Sequence, residues 1–213
     1  MKPVTLSFDN GPDPEVTPQV LDILGRHGVP ATFFVIGDKL RDPARLALCR
    51  RAHEEGHWLG NHTFHHLVPL GLSQHKGASR FEIERTQHLL GDLAHERKFF
   101  RPFGGGGHIN ADLLDREACE VLRQGGYTCV LWNAVPRDWE TPNNWVDRAL
   151  QQCAALDHPL IVLHDLLTGA MEHLERFIMA ARDSGMTFVQ DFPADCIRME
   201  QGTARDMSGI VKG

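Results

Sequence analysis

Short strand-like runs alternate with stretches of helical period along almost the whole chain, and this alternation limits the fold more than any other feature. The strand-like runs fall at residues 4–8, 31–36, 58–61, 98–100, 128–132, 160–163 and 187–189. They are rich in β-branched and aromatic residues and are bounded by Gly, Pro, Asn or Asp. Between them, Val20, Ile23, Leu24 and His27 keep helical spacing. So do Leu114, Ala118, Val121 and Leu122, then Val146, Ala149, Leu150 and Cys153, and then Leu174, Phe177, Ile178 and Ala181. Thr17-Pro18 predicts an N-cap followed by proline at the first helical position. Gly28, Gly125-Gly126 and Gly185 predict helix ends. Strands joined by right-handed helical crossovers pair in parallel. Seven of them predict an α/β fold, a distorted or incomplete (β/α) barrel, with an open doubly wound sheet as the other arrangement. No repeat or linker interrupts the pattern, so residues 1–213 are expected to form one domain. From about residue 195 the patterning weakens, and a loosely packed extension is expected there.

Composition narrows the partners. The formal charge is −6, and no Lys/Arg run offsets it, which argues against a nucleic-acid partner. No apolar run approaches the roughly 20 residues of a membrane span. The first residues run straight into a strand without the apolar core of a signal peptide, so a cytoplasmic location is expected. The five cysteines are scattered, odd in number and without a CxxC pair. Reduced, buried thiols are expected rather than disulfides or a zinc–thiolate site.

The polar residues of interest follow the strands. Asp9-Asn10 follow the first, His62 and His66 the third, and Arg101 the fourth; Asp138-Trp139 lie in the loop after the fifth, and His164-Asp165 end the sixth. In parallel α/β folds the loops at the strands' carboxyl ends share one face, so groups distant in sequence converge there. His62 and His66 are four apart; on a helical turn that spacing would put two imidazoles within reach of one ion. His65 has the wrong phase. Gly11-Pro12 forces a sharp turn behind Asp9 and Asn10. Arg101, if buried, needs a carboxylate partner, and Asp9 is a candidate. The four glycines at 104–107 let backbone approach a ligand closely, but no Gly-Lys-Ser/Thr follows to make a phosphate loop. A histidine that ends a buried strand beside a carboxylate suits general acid catalysis. Trp139 could wall a sugar-sized pocket.

Taken in order, Ser7-Phe8-Asp9-Asn10-Gly11-Pro12, His62 to His66, Arg101-Pro102-Phe103, Asp138-Trp139 and Leu163-His164 resemble the motifs of the polysaccharide deacetylase family, the NodB-homology domain of carbohydrate esterase family 4. Residues 29–37 also resemble the family's second strand. The resemblance implies metal-assisted hydrolysis of N-acetyl groups on amino sugars. It makes Asp9 the general base and His164 the general acid, pairs Arg101 with Asp9, and lets Asp138 tune His164. It places a divalent metal, zinc by ligand type, on His62, His66 and position 10, where the family's aspartate is Asn10 here. It gives the Phe103 amide a part in holding the oxyanion. The third motif is one residue shorter than the commoner form. Two other readings remain: a metal-independent amidohydrolase acting on a small cyclic or linear amide, and a carbohydrate-binding protein that has lost catalysis through Asn10. The expected partner is an N-acetylated carbohydrate.

Overall fold

The first strand organises the sheet. β1 (Lys2–Asp9) is buried along nearly its whole length and bonds to three parallel neighbours. On one side lies β2 (Ala31–Val35). On the other, β7 (Met186–Val189) pairs with its first half and β6 (Leu160–His164) with its second. β3 (Trp58–Asn61), β4 (Phe99–Phe100) and β5 (Thr128–Val130) continue the parallel order outward from β2. The gap between β5 and β6 is spanned by a single parallel bridge, with the Ala134 amide donating to the Leu160 carbonyl and the Val162 amide to the Ala134 carbonyl. The expected distorted barrel is thus seven parallel strands curled until their two ends nearly meet. The computed structural model describes residues 1–212.

Helices follow each crossover: α1 (Val16–His27), α2 (Pro43–Glu54), α3 (Ala78–Leu90), α4 (Arg116–Gln124), α5 (Trp145–Ala155) and α6 (Leu174–Asp183). The faces expected from the spacing of α1, α5 and α6 are the buried ones, and they pack with β1, β2 and β6 in the largest core cluster. Burial of this kind contributes about 1.5–3 kcal/mol for each large aliphatic side chain. α2 and α3 carry weak apolar periodicity, which does not predict them. α2 buries only Cys49 and Ala52, yet Asp42 accepts a capping bond from the Ala44 amide and Pro43 stands at the first position.

Three expectations are corrected. The cap of α1 is not Thr17: the helix starts at Val16, because the Asp13 carboxylate already accepts the Glu15 and Val16 amides. The Thr17 hydroxyl is thereby free to donate to Asp165. His62 and His66 are not on a helical turn; the segment is a tight irregular turn, described below. The residues beyond 195 are not a loose extension. β8 (Ile197–Glu200) runs antiparallel to β5, β9 (Thr203–Ala204) pairs back on β8, and Cys196, Ile197, Met199 and Ile210 are buried. The alternation Ile197, Met199 is short, and a strand that pairs by sheet extension needs only one apolar face, so the signal in sequence was slight.

Candidate active site

The carboxyl ends of β1, β3, β4 and β6 and the loop after β5 meet at one cavity of about 260 Å³. Asp9, Asn10, His62, His66, Phe103, Trp139 and His164 line it, together with glycines of the 104–107 loop and the apolar side chains of Trp132, Val135, Val162 and Leu166. Two further residues sit directly beneath, both fully buried: Arg101 and Asp138. All nine residues singled out from sequence are therefore in one place.

Asp9 is held at the end of β1. Arg101 donates to its Oδ1 at 2.8 Å, and its Oδ2 lies 3.6 Å from His62 Nε2. The guanidinium is not spent on Asp9 alone. It also donates to Ser7 Oγ and to the Val130 and Leu131 carbonyls, and it lies over the Phe34 ring. A fully buried cation is tolerable only when its donors are matched in this way. Ser7, not singled out from sequence, is part of that cage; its hydroxyl donates to the Ile161 carbonyl.

His164 closes the opposite wall. Its Nδ1 lies 2.8 Å from Asp138 Oδ1, and its backbone amide donates to the other carboxylate oxygen. Burial opposes a charge on this ring. The Asp138 hydrogen bond and charge, with Asp9 and Asp165 behind them, outweigh burial and raise its pKa above the usual histidine value. Trp139 stands edge-on to the ring at 4.8 Å.

His62 and His66 meet through their Nε2 atoms, 3.0 Å apart. His62 Nδ1 faces the Arg101 carbonyl at 2.9 Å, which can only accept, so the proton is on Nδ1 and the Nε2 lone pair faces the cavity. Burial pushes the His62 pKa down to about 3, and burial together with the neighbouring His62 pushes His66 down to about 2. Phe103 backs His66, with ring centroids 3.9 Å apart. Asn10, at φ 73°, turns the chain out of β1, and its buried side-chain oxygen has no hydrogen-bond partner. The turn is clamped from behind: the Ile36 amide donates to the Gly11 carbonyl and Lys39 Nζ to the Asn10 carbonyl. A Cβ on Gly11 would fall on the Asp165 carboxylate, which leaves glycine as the residue that fits.

The neighbouring histidines belong elsewhere. His57 is buried near the start of β3, accepts the Ala31 amide and packs edge-on to Phe33. His65 points away from the cavity to Glu82 and Phe81. Asp165 turns away from His164 and under the Gly11 turn, with Asp138 alone bonding the imidazole. Among the described residues, no group of three His, Cys, Asp or Glu side chains is arranged to hold a metal ion; the third oxygen beside the two imidazoles is the Asn10 carboxamide.

The family model described as polysaccharide deacetylase matches residues 1–130. The chain belongs to the polysaccharide deacetylase family. It is 36% identical over 169 residues to a peptidoglycan-N-acetylglucosamine deacetylase of Bacillus cereus, covering 77% of this chain and 73% of the relative. It is 35% identical over 170 residues to a chitooligosaccharide deacetylase of Rhizobium leguminosarum bv. trifolii, covering 76% and 71%. The polysaccharide deacetylase fold superposes on the Bc1960 peptidoglycan N-acetylglucosamine deacetylase with a TM-score of 0.74 at 28% identity, over 88% of this chain and 85% of that one. A family 4 carbohydrate esterase from Streptomyces lividans, solved with acetate, matches with a TM-score of 0.73 at 26% identity, over 92% and 96%.

Proposed function

We propose that this family member removes N-acetyl groups from amino-sugar oligomers or polymers, with a divalent metal, zinc by ligand type, held by His62, His66 and Asn10. The observation that carries the reading is the facing arrangement of two carboxylate-linked groups across one cavity: Asp9 fixed by Arg101 on one side, and His164 fixed by Asp138 on the other. Deacetylation needs a base to take a proton from water and an acid to give one to the departing amine, and these are the two groups offered.

The donor set fits a metal. The two Nε2 atoms are spaced like adjacent ligands about an ion roughly 2.0–2.1 Å from each. Low pKa values keep both rings neutral, and the orphaned Asn10 oxygen supplies a third, uncharged donor. Bound there, the ion would polarise the amide carbonyl and lower the pKa of the attacking water. This chain's own residues do the rest. Asp9 takes the water's proton, and Arg101 holds that carboxylate in place. His164, carrying a proton stabilised by Asp138, protonates the amine nitrogen as the carbon–nitrogen bond breaks. Phe103 and Trp139 wall the cavity so that the acetyl group enters between the two. A location in the cytoplasm and a single domain over 1–213 complete the proposal.

The test is release of acetate from N-acetylated chito-oligosaccharides by native protein, after chelation, and after zinc is returned. The expected result is activity lost with the chelator and regained with zinc, and absent throughout in Asp9→Ala and His164→Ala. Activity indifferent to chelation would favour the metal-independent amidohydrolase. No hydrolysis alongside measurable sugar binding would favour the binding protein.

A further inference from the structure

We infer that Glu82, on α3, is a positioning residue that holds the His62–His66 turn in its ligating shape. The inference rests on the proposed metal reading of that turn and adds a residue that touches neither metal nor substrate.

The turn does not hold its own shape. Thr63 sits at φ 66° and His66 at φ 56°. Positive φ is uncommon for any residue with a Cβ and is an outlier for a β-branched one. Such conformations persist only where the surroundings over-determine them. Here the hydrogen bonds to the turn's backbone come from outside it. Asn61 Oδ1 accepts the Thr63 amide, and the Thr63 and Phe64 carbonyls accept the Gly37 and Asp38 amides. The two central amides, of Phe64 and His65, both donate to one oxygen of Glu82, each at 2.8 Å. The other carboxylate oxygen lies 2.6 Å from His65 Nδ1. Glu82 is thus the one charged group in the clamp, and bonds of an amide to a carboxylate are about twice as strong as neutral ones. Its helix is fixed in turn to β3, because Asn61 Nδ2 donates to the Ile83 carbonyl. Without the carboxylate, two adjacent amides lose their acceptor in a segment that already prefers another backbone shape. The relaxation would separate the two Nε2 atoms.

Zinc titration of chelator-treated protein by calorimetry, with Glu82→Ala, Glu82→Gln and the nearby exposed Glu84→Ala, tests this. Supporting residues of metal ligands typically alter affinity about 10–100-fold, and Glu82→Ala is expected to lose affinity in that range. Glu82→Gln keeps an oxygen for the amides and should recover part of the loss; it also serves if Glu82→Ala does not fold. Glu84→Ala should bind zinc as native does. A second measurement needs no metal: hydrogen exchange at the Phe64 and His65 amides, expected slow in native apo-protein and faster in Glu82→Ala. If native protein binds no zinc, the metal reading fails and exchange alone decides the clamp. Native zinc affinity in Glu82→Ala, or unchanged exchange at both amides, would overturn the inference.

Discussion

At the scale of single residues, the chemistry divides between groups that meet the cavity and groups that set their charge. Asp138 belongs to the second kind, and its effect on His164 has a definite sign. Burial lowers the pKa of His164 and Asp138 raises it, with a net rise. A general acid with a raised pKa keeps its proton, and so its activity, to higher pH. Asp138→Asn removes the charge and presents a neutral partner to Nδ1. The alkaline limb of the pH profile of kcat/KM is therefore expected to move to lower pH, with kcat down by up to about 10²–10⁴. A profile that keeps its alkaline limb in place would show that another group loses the proton. The residues facing the cavity were legible because each ends a strand or lies in the loop that follows one, where parallel α/β folds concentrate chemistry. Ser7 and Asn61 were not. Ser7 lies inside β1 and Asn61 ends β3, where a lone polar residue reads the same whether it faces solvent or buried polar partners. Nor was Glu82, because its only neighbours in sequence are those of an ordinary exposed helix.

Elements were legible in proportion to how much apolar surface each one buries. α1, α5 and α6 present continuous apolar stripes to the largest core cluster, and their spacing was plain. α2 is mostly polar, and the readable mark was its Asp42-Pro43 start rather than its period. The four-residue spacing of His62 and His66 fits a helical turn as well as an irregular turn that other elements clamp, so spacing alone does not separate the two. The C-terminal strand is short and leaves little trace in the sequence, yet it supports the site. β8 pairs with β5, and the Leu131 amide donates to the Cys196 carbonyl beside the carbonyls that hold Arg101. Deleting residues 194–213 would remove the buried Cys196, Ile197, Met199 and Ile210, expose the side chains they cover and leave the edge of β5 open. At about 1.5–3 kcal/mol for each large aliphatic side chain, the loss consumes much of a domain's usual margin of about 5–15 kcal/mol. The truncated chain is expected to lack a cooperative thermal transition and to aggregate. A soluble product melting within a few degrees of the full chain would mean that the strand is an accessory.

Across the whole molecule, burial also reaches a titratable group that the proposed chemistry does not use, and this group affects stability. Asp165 is fully buried under the Gly11 turn; one oxygen accepts from Thr17 and the other has no partner. Burial pushes its pKa up to about 7, against the opposing pull of the Thr17 bond and of Lys39. Below the ordinary carboxylate pKa of 3.8, Asp165 is protonated both folded and unfolded, and it sets no pH dependence. As pH rises from there toward 7, the unfolded chain gives up this proton while the folded protein keeps it, so stability falls. Above that range both forms are ionised and the loss is constant. At about 1.36 kcal/mol per unit of difference, the total is at most about 4 kcal/mol. Asp165→Asn keeps an oxygen for Thr17 and cannot titrate. Its melting temperature, relative to native, is expected to climb between pH 4 and pH 7 and then level off. For a chain of this size about 1 kcal/mol corresponds to roughly 2–4 °C, so the widening should reach several degrees. Thermal melts of both proteins across that pH range decide it. A constant difference between the two curves would mean that Asp165 is already ionised in the folded protein at acid pH, with Lys39 close enough to compensate its charge.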